Sequence, residues 1–188
     1  MMNNNSTKKP YTLWFLMLTF AVPIIAAYSY YFLIENPKTK NNGELIVPVI
    51  DIENLALTDN AGNKLTRKEL TSTWRMLYFV GKNCDSTCSK ELYNMRQINV
   101  ALGKNADRFK YMIIHLDSMD DDFSTLIQKE HPRALHAYTN KYELESTFSN
   151  AIFIMDPLGN IMMKFLPEIP PGLILKDLNL LLKVSRIG

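Results

Sequence analysis

The chain has 188 residues, 47% hydrophobic and 21% charged, a composition ordinary for a folded protein that argues against global disorder. Lysine plus arginine (21) nearly balances aspartate plus glutamate (19), a net charge of +2 with no basic stripe, so nucleic-acid binding is set aside. The length favours one domain with a sizeable core even after an anchor is subtracted.

Residues 1–10 form a short polar leader, read as cytoplasmic. From Tyr11 to Ile34 the chain runs YTLWFLMLTFAVPIIAAYSYYFLI, with no charge between Lys9 and Glu35. As a helix this segment spans roughly 36 Å, enough to cross a ~30 Å hydrocarbon core. Tyr11, Trp14, Tyr28, Tyr30 and Tyr31 lie toward its ends, where amphipathic aromatics favour the membrane interface. Pro23 sits mid-span, which membranes tolerate. The run is longer than a signal-peptide core of roughly 7–15 residues and ends in bulky SYYFLI, not in a small-residue cleavage site. It reads as an uncleaved signal anchor over residues 11–34. Lys8 and Lys9 on one side balance Lys38 and Lys40 on the other, so the basic residues leave orientation open. The paired cysteines downstream, which persist or cycle outside the cytosol, point to an inside N-terminus and an external soluble domain.

Residues 35–45 (ENPKTKNNGEL) read as a tether, and 46–188 as the soluble domain. Asn54–Thr58, a turn at Asp59–Gly62 and Lys64–Thr66 suggest a small hairpin. Trp74–Val80 (WRMLYFV) is a buried strand, and Ser86–Gly103 is a helix with Leu92, Met95, Ile98 and Leu102 on one face. Tyr111–Leu116 is a second buried strand ending at Asp117. Phe123–Glu130 is a helix stopped by His131–Pro132. Ala151–Met155 and Ile161–Phe165 form a hairpin around Asp156–Gly159. Leu173–Val184 is a closing helix with Lys176, Asp177, Asn179 and Lys183 on its polar side. This order, a βαβ unit followed by an antiparallel hairpin with helices on both faces, is a thioredoxin-like α/β architecture.

The two cysteines, Cys84 and Cys88, form a C-x3-C between the first strand and its helix, where open α/β sheets place ligands. A pair this close adds little through loop entropy, so redox or metal chemistry is the better reading. Two positions i and i+4 inside a regular helix hold their Cβ atoms ~5–6 Å apart, too far for a disulfide's roughly 3.5–4.5 Å. Oxidation therefore needs Cys84 in the loop and Cys88 in the first helical turn, with Asp85 or Ser86 as N-cap. The helix N-terminus and Lys82 favour a thiolate, and two thiolates also suit Cu(I). Redox and soft-metal chemistry both stay open on the spacing alone.

The three histidines have no spacing that demands metal. His115 lies in a strand, His131 reads as a solvated turn residue, and His136 falls in an unassigned stretch. The acidic run Asp120–Asp122 lacks the glycine and distal glutamate of a calcium loop and reads as solvated.

These residues resemble the Sco/SenC family, membrane-anchored thioredoxin-like proteins that help assemble the copper centre of cytochrome c oxidase. LALTDNAGNKLTRKEL is similar to the family's opening hairpin, and LYFVGKNCDSTCSKEL to its strand and C-x3-C. Ile114–Asp117, HPRALHAYT and AIFIMDPLGN are similar to the segments that follow. The chain departs from the family at Asp85 and Ser89, where prolines are usual. Counting back from Asp156–Pro157 places Phe148 where the family's copper-binding histidine belongs. The resemblance thus implies Cys84 and Cys88 as redox or Cu(I) residues and carries over no histidine. It implies cytochrome c oxidase subunit II, or another copper/thiol assembly protein, as partner, and an inner-membrane anchor with a periplasmic domain. Three readings follow: thiol–disulfide exchange on partner cysteines, a Cu(I) chaperone, and a scaffold without chemistry. The missing histidine weights them toward exchange.

Overall fold

The computed structural model describes residues 11–33, 41–81, 84–116, 121–141, 148 and 150–185. These fall into two compact units, residues 1–40 and 41–188.

The first unit holds one helix, α1 (Tyr11–Leu33), with Pro23 inside it. Its Tyr11–Phe32 stretch is long and apolar enough to cross a membrane by length and composition, and all its described side chains are exposed. Ile34, the last residue of the expected span, lies outside the described residues.

The second unit is built on β1 (Glu44–Asp51), α2 (Arg67–Leu70), β2 (Trp74–Val80), α3 (Ser86–Ala101), β3 (Phe109–His115), α4 (Asp121–Glu130), β4 (Leu135–Tyr138), β5 (Ile152–Met155), β6 (Asn160–Phe165) and α5 (Pro171–Val184). Among the described residues the strands make one six-stranded sheet in the order β1-β6-β5-β2-β3-β4. β2, β3 and β4 run parallel, whereas β5, β6 and β1 pair antiparallel. β2 is buried along its whole length at the sheet's centre, as a continuous apolar run requires.

Alternation along the strands divides the core. Met76, Tyr78, Val80 and Ile113 face α3 and α5, where Leu92, Met95, Ile98 and Leu178 cover them. Leu77, Phe79, Met112 and Ile114 face the opposite way, against Ile52, Leu55, Leu57, Leu70 and Phe148. Helices on both faces were expected. Among the described residues the second face carries short ones, the 3-10 turn Ile52–Leu55 and the one-turn α2, together with Phe148.

Two strands escape sequence reading. β1 carries Pro48, which cannot donate to a ladder, yet β1 is an edge strand paired only with β6. Its register jumps between Leu45 and Ile50, so the proline falls where pairing is interrupted. β1 also begins at Glu44, inside the stretch read as tether. Gly43 precedes it for a steric reason: a Cβ there would lie 2.7 Å from Met163 and Phe165. β4 has only four residues; it pairs with β3 and, through Tyr138, bridges to Thr58.

The expected hairpin at 54–66 reduces to one bridge, Thr58 with Lys64, because Asn54 and Leu55 belong to the 3-10 turn. Its turn and the β5–β6 turn share the pattern D-x-x-G-N and the same bonding. Asp59 Oδ1 accepts from the amides of Ala61 and Asn63, as Asp156 Oδ1 does from Leu158 and Asn160. Asp177, assigned from sequence to the polar side of α5, is 3% exposed. Its carboxylate accepts from the Asn42 amide (2.6 Å), the Asn42 side chain (2.8 Å) and the Gly43 amide (3.2 Å), tying α5 to the start of β1.

Candidate functional site

β2 ends at Val80, and its carboxyl end leads through residues 81–85 to α3. Asp85 is the N-cap: its backbone is extended and its carboxylate accepts from the Cys88 amide at 2.8 Å. Cys84 therefore precedes the helix and Cys88 occupies its first turn, as the disulfide geometry demands. The two are joined, with Cα atoms 5.2 Å apart. Cys84 is half-buried, whereas Cys88 is 6% exposed and packs in the apolar cluster beneath α3. The Ser89 hydroxyl lies 3.8 Å from Cys84 Sγ, at the limit of a sulfur hydrogen bond. Lys82, expected to favour a thiolate, lies outside the described residues.

One turn beyond Cys88, Glu91 is buried at 4% exposure, and burial pushes its carboxyl up from the ordinary value. Asn94 donates to it at 3.4 Å. Below, Tyr78 projects from β2 toward α3. Burial, with the Glu91 and Asp85 carboxylates, pushes its phenol up to about 12. Sequence reasoning missed Glu91. Its signal was its spacing, three residues after Cys88 on the buried stripe of α3.

The histidines cluster. Val80 pairs in register with His115, which therefore stands at the same edge of the sheet as the strand end leading to the dithiol. His115 is wholly buried, stacked on Tyr138 at 4.6 Å, and its Nε2 is 3.2 Å from His136 Nδ1. His136 Nε2 donates to the His131 carbonyl at 3.4 Å. A carbonyl only accepts, so neutral His136 carries its proton on Nε2, and His115 Nε2 must then donate to Nδ1. Burial lowers all three imidazoles, His115 to about 4. His131 is not solvated as expected: it is 4% exposed, with its ring edge-on to Tyr111. Pro132 ends α4 and turns the chain so that His131 packs inward. Of the acidic run, Asp121 and Asp122 open α4, and Asp120 lies outside the described residues.

Phe148 is 1% exposed, its ring 4.3 Å from Phe79 and 4.8 Å from Phe153. That cluster is on the sheet face opposite Cys88. Among the described residues no group of three or more His, Cys, Asp or Glu side chains is placed to hold a metal ion. At the dithiol, the described residues offer a soft metal the two sulfurs, with no third His, Cys, Asp or Glu donor placed beside them.

A family model described as "Transmembrane-like, thioredoxin-like, C-terminal domain" matches residues 74–185. No curated protein matches the chain. Among solved structures, apo Sco1 from Thermus thermophilus is similar at 14% identity and a TM-score of 0.60, covering 78% of this chain and 99% of that one. Yeast Sco1 with copper bound is similar at 17% identity and a TM-score of 0.58, covering 77% and 90%. A thiol:disulfide interchange protein from Bacteroides sp. is similar at 16% and 0.51, covering 77% and 91%. At these identities the likeness is one of fold: the second unit is thioredoxin-like, as the order of its elements implied.

Proposed function

The chain belongs to the transmembrane-like, thioredoxin-like C-terminal domain family, and on that premise we propose that it is a membrane-anchored, Sco-like assembly factor working by thiol–disulfide exchange on partner cysteines that receive copper. One observation carries the reading: the asymmetric pair of half-buried Cys84 ahead of α3 and buried Cys88 in its first turn.

The asymmetry assigns the roles. The Cys84 thiolate attacks one sulfur of a partner disulfide, and the displaced partner thiolate takes a proton from solvent. Cys88 then gives up its proton and attacks Cys84 Sγ in the mixed disulfide, releasing the second partner thiolate. Two electrons pass from the dithiol to the partner, and the chain is left with the Cys84–Cys88 bond. A reducing dithiol protein restores it. The N-terminus of α3 favours the thiolate in both steps.

Reduced partner cysteines are the form that accepts Cu(I), a soft ion. Cytochrome c oxidase subunit II, or another copper/thiol assembly protein, is the partner we assign. The length and composition of α1 support a single span. A dithiol that cycles outside the cytosol supports an inner-membrane anchor with residues 1–10 inside and the soluble domain in the periplasm.

A second reading, Cu(I) carried as cargo between Cys84 and Cys88, is supported by the likeness to Sco1 solved with copper bound. The burial of Phe148 away from the dithiol weighs against it. Metal retention by the reduced, anaerobic chain in a competing Cu(I) chelator tests the choice. Exchange predicts no copper kept after desalting; one copper per chain, lost in Cys84→Ser, would favour the chaperone.

A further inference from the structure

Away from the dithiol, toward the amino end of β3, a cavity of about 310 Å³ opens between α3 and the α4–β4 turn. That volume is at the lower end of the ~300–1,000 Å³ typical of small-molecule sites. Tyr111 lines it from β3, Arg96 and Asn99 from α3, and Glu130 and Arg133 from the turn.

The polar groups here are under-used. Tyr111 is 3% exposed, and among the described residues its hydroxyl has no protein hydrogen-bond partner. The hydroxyl opens onto the cavity and is not sealed in the core. His131, whose ring packs edge-on to the Tyr111 ring, has its Nδ1 buried without a partner. Buried polar groups are rarely left so. Arg96 Nη1 donates to the Glu130 carbonyl at 3.3 Å, which fixes its guanidinium at the rim. Neither Arg96 nor Arg133 has a carboxylate within ion-pair distance among the described residues, although Glu130 shares the cavity. Both guanidiniums act on the Tyr111 phenol, easing the rise that burial imposes. Asn99 is already committed, donating to the Phe109 carbonyl at 2.9 Å, so it shapes the floor.

Two exposed, forked cations lining one cavity with a phenol offer a receptor for an oxyanion, since guanidinium geometry matches carboxylate and phosphate groups. We propose that this cavity binds a small oxyanion, free or as the phosphate of a lipid headgroup, between Arg96 and Arg133 with the Tyr111 hydroxyl donating to it. The site is independent of the dithiol reading.

Calorimetric titration of the full chain in phosphate-free maltoside detergent tests this, with inorganic phosphate and short-chain phosphatidylglycerol as separate probes. Saturable binding is expected, weakened about tenfold or more in Arg96→Gln and in Arg133→Gln and severalfold in Tyr111→Phe. Binding of inorganic phosphate identifies a free ligand as sufficient; binding of the lipid alone identifies a headgroup. Tyr111→Phe keeps the buried ring, so it decides the matter even if an arginine variant folds poorly. No saturable binding of either probe, or binding unchanged by all three substitutions, would overturn the proposal.

Discussion

The Asp85 carboxylate accepts the Cys88 amide hydrogen at 2.8 Å, so a residue between the two sulfurs also starts the helix that carries the second. The cap and the dithiol are one local structure. Asp85→Ala is expected to cost about 1 kcal/mol of stability in urea denaturation, while Asp85→Asn, which still caps, costs a few tenths. Equal losses in the two would break the link.

The buried histidines set an acid limit on stability. His115 is held neutral in the folded protein, its value lowered by burial and by His136 from 6.5 to about 4. The unfolded chain therefore binds its proton first on acidification. This contribution is full above pH ~6.5, is lost as pH falls from there toward ~4, and amounts to a few kcal/mol in order of magnitude. His131 and His136 act in the same direction. Denaturation midpoints measured from pH 8 to 4 should fall steeply in that window. His115→Gln, which keeps a donor toward His136, should be less stable at pH 7 yet show a flatter acid limb.

Glu91 has the opposite sign. Burial raises its carboxyl above the ordinary 4.5, so the unfolded chain ionises first and stability declines as pH rises through that window. Glu91→Gln removes this cost. We expect a melting temperature roughly 2–4 °C higher at pH 7, with the gain gone at pH 4. A loss at pH 7 would mean that the carboxylate has a partner worth more than its desolvation.

Phe148, expected by the count back from Asp156–Pro157 at the place of the resembled family's metal ligand, fills an aromatic trio with Phe79 and Phe153. Phe148→His puts a polar ring into that trio on the face away from Cys88. The expected result is destabilisation of about 2–4 kcal/mol and no gain in copper retention. Tight copper binding by Phe148→His would show that the segment can turn toward the dithiol.

What the sequence made legible follows from how strongly local pattern and burial agree. Trp74–Val80 and the β5–β6 hairpin are continuous or turn-bounded apolar runs, and they fold as they read. The placement of Cys84 before α3 followed from disulfide geometry applied to a C-x3-C. β1 was hidden because Pro48 argues against a strand everywhere except at an edge, and edge position is a property of the sheet. Asp177 reads as surface by residue type, but its carboxylate is satisfied by backbone amides 134 and 135 residues away in sequence. His131 reads as a solvated turn residue for the same cause: its burial depends on Tyr111 from another strand. Long-range partners decide these cases, and no window of sequence contains them.

The exchange mechanism itself is tested most directly by trapping. Cys88→Ser in the full-length chain, expressed in cells, leaves Cys84 without its resolving thiol. The proposal expects a mixed disulfide between Cys84 and a partner cysteine, seen as a reducible higher-mass species and absent from Cys84→Ser/Cys88→Ser. Trapping by Cys84→Ser through Cys88 instead, or no covalent species from either single variant, would contradict it.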